Sequence, residues 1–164
     1  MSELRGRIGG VTSGYDLRAS WNGERLQGRI GGVYQGKDLD LTYAGGQLSG
    51  RVGGRVGGFD VRGALTPASA ALRLGGQFMG DDLNLTFSQG EVGGRFSGRW
   101  SGKDVSLQTG PASVTGRIGG AYDGKDVRLE VGQGLPPELA VAAALCAYKQ
   151  LEDDQSAAAA SSSS

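Results

Sequence analysis

Along residues 26–35, Leu26, Gly28, Ile30, Gly32 and Tyr34 share one parity, while Arg29, Gly31, Val33 and Gln35 take the other. A period of two marks a strand with one face toward a core. After Gly36-Lys37 the alternation restarts, with Leu39, Leu41 and Tyr43 on one side and Asp38, Asp40 and Thr42 on the other. Glycine at the first central position suits a two-residue II′ turn. That turn pairs Gln35 with Asp38, Tyr34 with Leu39, Gly32 with Leu41 and Ile30 with Tyr43. Opposed residues share a face, so both strands agree on which side is apolar.

The phrase returns every 22 residues without insertion, in units 4–25, 26–47, 48–69, 70–91, 92–113 and 114–135. Each unit repeats one aspartate (Asp16, Asp38, Asp60, Asp82, Asp104, Asp126) and one arginine (Arg7, Arg29, Arg51, Arg73, Arg95, Arg117). Six hairpins predict twelve antiparallel strands. The alternative is a parallel β-solenoid with 22-residue coils. Its stacked coils place identical residues about 4.8 Å apart and line up columns of Asp and Arg, whose repulsion favours the hairpins.

The link between hairpins has two readings. A four-residue loop pairs Tyr43 with Leu48 and sets Arg29 against Arg18 and Arg73 against Arg62. A six-residue loop pairs Tyr43 with Gly50 and sets Arg29 against Ser20, so the longer loop is expected. It slips each hairpin by two residues, for a shear of about 12 and a wall about 10–11 Å from the axis. Closure also removes the aggregation-prone edges of an open sheet.

Such a cylinder needs a filling. LAVAAALCAY, residues 139–148, follows Pro136-Pro137 and carries no charge on any face, which is the pattern of a buried helix. A helix over about 137–152 is therefore expected in the lumen, rich in alanine and so slim, with the polar stretch from Lys149 emerging at the far end. The fold class is mainly β: a closed 12-stranded antiparallel β-meander barrel around a hydrophobic C-terminal helix. Residues 1–152 form one domain, and the Ala/Ser tail 153–164 is expected to be disordered.

Composition narrows the function. The 17 Lys and Arg balance 17 Asp and Glu, so no net field recruits a polyanion, and nucleic acid is not an expected partner. Histidine is absent, which removes His-based triads and most zinc enzymes. Cys146 alone forms no intramolecular disulfide and sits where it would be inert. MSELRGRIGG lacks the apolar run of a secretory signal, and 139–148 is too short to cross a bilayer. Cytoplasm is the expected compartment.

Three motifs take structural readings. GRIGG at 6–10, 28–32 and 116–120 is glycine-rich, but Gly36-Lys37-Asp38 leads into a strand where a P-loop needs a helix. The aspartates, with local pairs Asp81-Asp82 and Asp123 with Asp126, offer each turn few carboxylates for calcium. The six arginines form an outward belt whose stems cover neighbours while the guanidinium groups stay wet. Trp21 and Trp100 share the inner parity and belong to the core. No catalytic, cofactor-binding or metal-ligating residue is assigned.

Strand count and the helix LAVAAALCAY resemble the tubby and phospholipid-scramblase superfamily, over residues 4–152. The similarity is architectural, and no family sequence motif is matched. It implies membrane lipid or a small ligand as an alternative partner: tubby members bind phosphoinositide headgroups in a basic pocket outside the barrel, and scramblase relatives are linked to membranes and calcium. No compact basic cluster matches that pocket, so no residue is carried over. The leading expectation is a non-catalytic structural or protein-interaction module, with a peripheral lipid- or ligand-binding barrel as the alternative.

Overall fold

The computed structural model describes residues 2–10, 13–31, 36–54, 57–76, 80–97, 102–120 and 124–162. The strands are β1 (Ser2–Gly9), β2 (Gly14–Trp21), β3 (Arg25–Gly31), β4 (Gly36–Ala44), β5 (Gln47–Val52), β6 (Phe59–Leu65), β7 (Ser69–Gly75), β8 (Gly80–Ser88), β9 (Glu91–Ser97), β10 (Gly102–Thr109), β11 (Ser113–Ile118) and β12 (Lys125–Val131), followed by helix α1 (Pro137–Ser162). Neighbours in sequence pair antiparallel, and β1 closes on β12. The result is the closed meander expected from the alternation, and the solenoid is excluded.

Both registers differ from expectation. Within the second hairpin Ile30 pairs with Lys37, Gly28 with Leu39 and Leu26 with Leu41. The tight turn at Gly36-Lys37 is therefore replaced by a connection over 32–35, with Gly36 already in β4; Tyr34 and Gln35 lie outside the described residues. In this register Arg29 faces Asp38, and Arg7, Arg51, Arg73, Arg95 and Arg117 face Asp16, Asp60, Asp82, Asp104 and Asp126. Six directly opposed unlike charges select it over the tighter turn.

Between hairpins the shorter link is used. Tyr43 pairs with Leu48, while Gly50 pairs with Leu41. Gly45 and Gly46, with φ of +59° and +76°, form the two-residue turn in which both central residues need positive φ. This choice does oppose Arg18 with Arg29 and Arg62 with Arg73. The repulsion is relieved because Arg29 and Arg73 reach the other way, to Asp38 at 3.0 Å and Asp82 at 2.9 Å.

The two corrections nearly cancel in the global geometry. Leu26 pairs with Leu41, which pairs on its other side with Gly50, so level partners are 24 residues apart against a repeat of 22. Six slips of two give a shear of 12, as expected in size but opposite in direction. For twelve strands that implies a tilt of about 37° and a radius of about 10–11 Å. The closing seam, Leu4 with Val131, has the register of Leu26 with Trp21 and Leu48 with Tyr43. The backbone wall is therefore sixfold repetitive, including its seam.

Helix α1 fills the lumen, and every residue from Leu139 to Tyr148 is at most 2% exposed. Its partners are the inward side chains of the wall, among them Leu4, Ile30, Leu41, Leu74 and Ile118. Lys149, Gln150 and Leu151 are also buried, so the helix leaves its cover at Glu152, later than expected. Nor does it stop there: 153–162 continue the helix where a disordered tail was expected. Propagating an existing helix adds one bond per residue ordered, without a new nucleus, and alanine has the highest helix propensity.

Large and small residues alternate across the inner wall. Leu41 faces Gly50, Leu85 faces Gly94, Leu107 faces Gly116 and Leu129 faces Gly6. Between β6 and β7 the order reverses, Gly63 facing Leu72. A Cβ at Gly63 would lie 2.2 Å from the carbonyl oxygen of Ala71, well inside contact distance. Each of these pairs keeps one glycine, whichever strand supplies it.

Candidate functional site

With the lumen filled, chemistry is left to the two mouths and the outer wall. The mouth at the inter-repeat turns is mostly apolar. Trp21, Tyr43, Leu65, Phe87, Thr109 and Val131 occupy its inward positions, each opposite an inward residue of the next strand. The Trp21 and Tyr43 rings lie 6.5 Å apart. The Tyr43 hydroxyl donates to Glu138 at 2.7 Å, in the first helical turn, where an acid also meets the favourable end of the helix dipole. Burial, then the Glu138 carboxylate, pushes the Tyr43 phenol well above its ordinary range.

The mouth at the hairpin tips, where the helix exits, is polar. Its inward positions are Tyr15, Lys37, Phe59, Asp81, Lys103 and Lys125, placed by their pairing with Ile8, Ile30, Val52, Leu74, Phe96 and Ile118. Three of the six hold the helix. Lys149 donates to Asp81 at 2.9 Å and stands 5.1 Å from the centre of the Phe59 ring. Tyr15 donates to Asp154. Burial opposes the charge on Lys149, but its hydrogen bond to Asp81 and the charge of Asp153 prevail and raise its pKa. Burial and the Asp154 hydrogen bond push Tyr15 up to about 12.

Behind that collar, Gln150 donates to Asp154 at 2.9 Å. Its own oxygen is buried and has no partner among the described residues. Lys37, Lys103 and Lys125 are half-buried, and no described carboxylate lies within salt-bridge distance of any of them. The Lys37 ammonium instead lies beside Gly57, 3.8 Å from where a Cβ would stand.

The outer wall carries the arginine belt, but its guanidinium groups are not simply wet. Arg51 donates to Asp60 at 2.7 Å and, through Nε and Nη2, to the Gly54 carbonyl at 3.0 and 2.7 Å. Arg7 and Arg73 make the same clasp with Asp16 and Gly10, and with Asp82 and Gly76. Arginine thus ties each of these hairpin tips to its own strands. Asp16, Asp60 and Asp82 each accept from the arginine of their own hairpin. A shallow groove of about 650 Å3 lies beside Arg62, Arg73, Asp82 and Asn84 on this wall.

The motifs fall out accordingly. Gly36-Lys37-Asp38 opens β4, not a helix. Asp81 and Asp82 point to opposite faces, one to Lys149 and the other to Arg73, and no cluster suited to a metal occurs among the described residues. Asp123 and Trp100 lie outside the described residues, while Trp21 is core. Burial pushes the Cys146 thiol up to about 12, away from nucleophilic use. Sequence reasoning missed the collar because the assumed turn left Lys37 outside the strand. The signal was present: along this column the six units read Tyr, Lys, Phe, Asp, Lys, Lys, while their neighbours repeat.

Comparison with known proteins finds no matching family model, curated protein or solved structure.

Proposed function

We propose that this barrel is a non-catalytic structural and protein-interaction module. The observation that carries the reading is the state of the lumen. A barrel that takes a lipid or small ligand inside offers a cavity on the order of 300–1,000 Å3; here helix residues Leu139–Tyr148 occupy that space and are at most 2% exposed. A protonated, enclosed Cys146 supports the non-catalytic half. The outward face, with Arg18, Arg29, Asp38 and Arg62 exposed, differs from the apolar band of a membrane-spanning barrel. What remains for contact is the rims, the outer wall and the helix beyond Glu152.

Two assays test this. Titration with a fluorescent fatty acid reports internal binding, and no saturable uptake is expected. Co-sedimentation with vesicles, neutral or containing anionic lipid, reports peripheral lipid binding, and no pelleting above background is expected. Saturable uptake would replace this reading with a ligand-binding barrel. Pelleting with anionic vesicles would favour the lipid-binding alternative implied by the tubby-like architecture.

A further inference from the structure

The wall offers the helix six equivalent settings. Its strand pairing repeats every 22 residues, seam included, so a sixth of a turn about the barrel axis returns the helix to the same backbone. The enclosed segment Leu139–Tyr148 is apolar on every side and half alanine. Apolar burial is non-directional and distinguishes such settings weakly. At the exit mouth the settings differ. The six inward strand positions there read Tyr15, Lys37, Phe59, Asp81, Lys103 and Lys125, with one acid among them. Lys149 donates to that acid at 2.9 Å and rests against Phe59, while Asp154 accepts from Tyr15. Residues 149 and 154 project about 140° apart around the helix. Tyr15 and Asp81 belong to the first and fourth units, on opposite sides of the ring, so the two contacts form together. A sixth of a turn either way brings Lys149 up to Lys103 or Lys37, and a half-turn sets Asp154 against Asp81. At the far mouth the same setting lets Glu138 accept from Tyr43 at 2.7 Å.

We infer that Tyr15 and Asp81 act as a rotational key, choosing one setting of a helix that the repeating backbone of the wall accepts in six. Fixing register among near-equivalent arrangements is the best-attested use of a buried polar pair. Lys149 and Asp81 keep only 8% and 13% of their side chains exposed, so a setting that separates them leaves an enclosed charge without its partner, which is strongly unfavourable. The ion pair of Lys149 with Asp153 lies within the helix and turns with it, so it favours no setting over another. The key has a directional consequence. The helix continues beyond Glu152, and it does so in one fixed orientation relative to the outer wall.

The test moves the key. In the full-chain variant Tyr15→Asp/Asp81→Tyr the composition is unchanged, but acid and phenol trade sides. Nuclear Overhauser contacts between Lys149 and the Phe59 ring report the setting, the native ammonium standing 5.1 Å from the ring centre. The edge-to-face pair of Phe96 and Tyr148, 5.4 Å apart, reports it a second time. The native chain should show both contacts in a single set of signals. The exchanged chain should lose both, as a half-turn of the helix returns Lys149 to a carboxylate. The control Leu74→Phe/Phe96→Leu moves the aromatic neighbour of Tyr148 without moving the acid, and should keep Lys149 on Phe59. Retention of Lys149 on Phe59 in the exchanged chain, or its loss in the control, overturns the proposal. Irregularities of the apolar wall, such as Ala19 and Gly63 where other units carry leucine, would then set the rotation. If the exchanged chain fails to fold, Lys149→Met/Asp154→Ala decides by removing the helix's half of the key. Coexisting sets of Phe96 and Tyr148 signals support the key, and one native set refutes it.

Discussion

Exchanging Gly63 and Leu72 isolates the rule of one small and one large residue per inner pair. Leu72 is 4% exposed, so Leu72→Gly removes a buried side chain at about 3–5 kcal/mol, plus roughly 1 kcal/mol for glycine in a strand. Gly63→Leu places a Cβ 2.2 Å from the Ala71 oxygen at a φ of +146°. The backbone conformation costs about 1–3 kcal/mol and overpacking about as much again. Summed independently, the two reach roughly 6–12 kcal/mol, comparable with the whole stability of a typical domain. The double variant relieves only the side-chain overpacking, about 1–3 kcal/mol, because the Ala71 backbone oxygen and the positive φ at residue 63 are untouched by the change at residue 72. The coupling should therefore fall within usual values, with the double variant still several kcal/mol less stable than the native protein. Guanidinium unfolding followed by tryptophan fluorescence measures all four members of the cycle. Strictly additive losses refute the reasoning, because the side chain at residue 72 would then have no bearing on what residue 63 can hold.

Four further outcomes follow from the packing. Arg51→Ala should cost about 0.5–1.5 kcal/mol, because it removes the clasp on Gly54 and Asp60; Arg18→Ala should stay within about 0.5 kcal/mol, and equal effects in denaturation would refute the clasp. Tyr15, Tyr43 and Lys149 all have folded pKa values raised above their ordinary ones. Their contribution is complete below about pH 10 and declines as pH rises toward 12, so guanidinium midpoints should fall through that window; a flat profile there argues against the contacts. Cys146, buried with its pKa pushed up to about 12, should react with a thiol reagent only as fast as the chain unfolds, and rapid labelling of native protein would contradict its burial. Ala143→Asp should abolish soluble folding, since residue 143 is fully enclosed and an unpaired carboxylate there is costly; a stable monomer with native circular dichroism would overturn the filled-lumen account.

Alternation made the fold legible. Parity decides which face is buried, a perfect 22-residue period counts the strands, and a charge-free helix requires an enclosed space. Parity is blind, however, to a shift that moves a partner by an even number of residues. The partner of Leu39 is Gly28 rather than Tyr34, and that of Tyr43 is Leu48 rather than Gly50. Both shifts leave every side chain on its original face. Only turn chemistry and cross-strand charge separate such registers, and the six Arg–Asp oppositions outweighed the apparent turn at Gly36-Lys37. The tail was misread for a different reason: composition describes an isolated segment, whereas 153–162 grow from a helix already held in the barrel.

A near-perfect repeat hides its specificity in the column where the copies disagree. The wall is sixfold, but one helix cannot match six equivalent neighbours, since its side chains project at about 100° intervals. Positions serving only the wall can stay uniform, as the belt arginines and aspartates do. Positions meeting the helix must vary, and Tyr15, Phe59 and Asp81 vary in a way its polar end explains through Asp154 and Lys149. Lys37, Lys103 and Lys125 belong to the same column, and with Lys149 they match in number the four acids of this mouth, Asp81, Glu152, Asp153 and Asp154. The column therefore varies both to contact the helix and to offset the charge its acidic end brings to the rim.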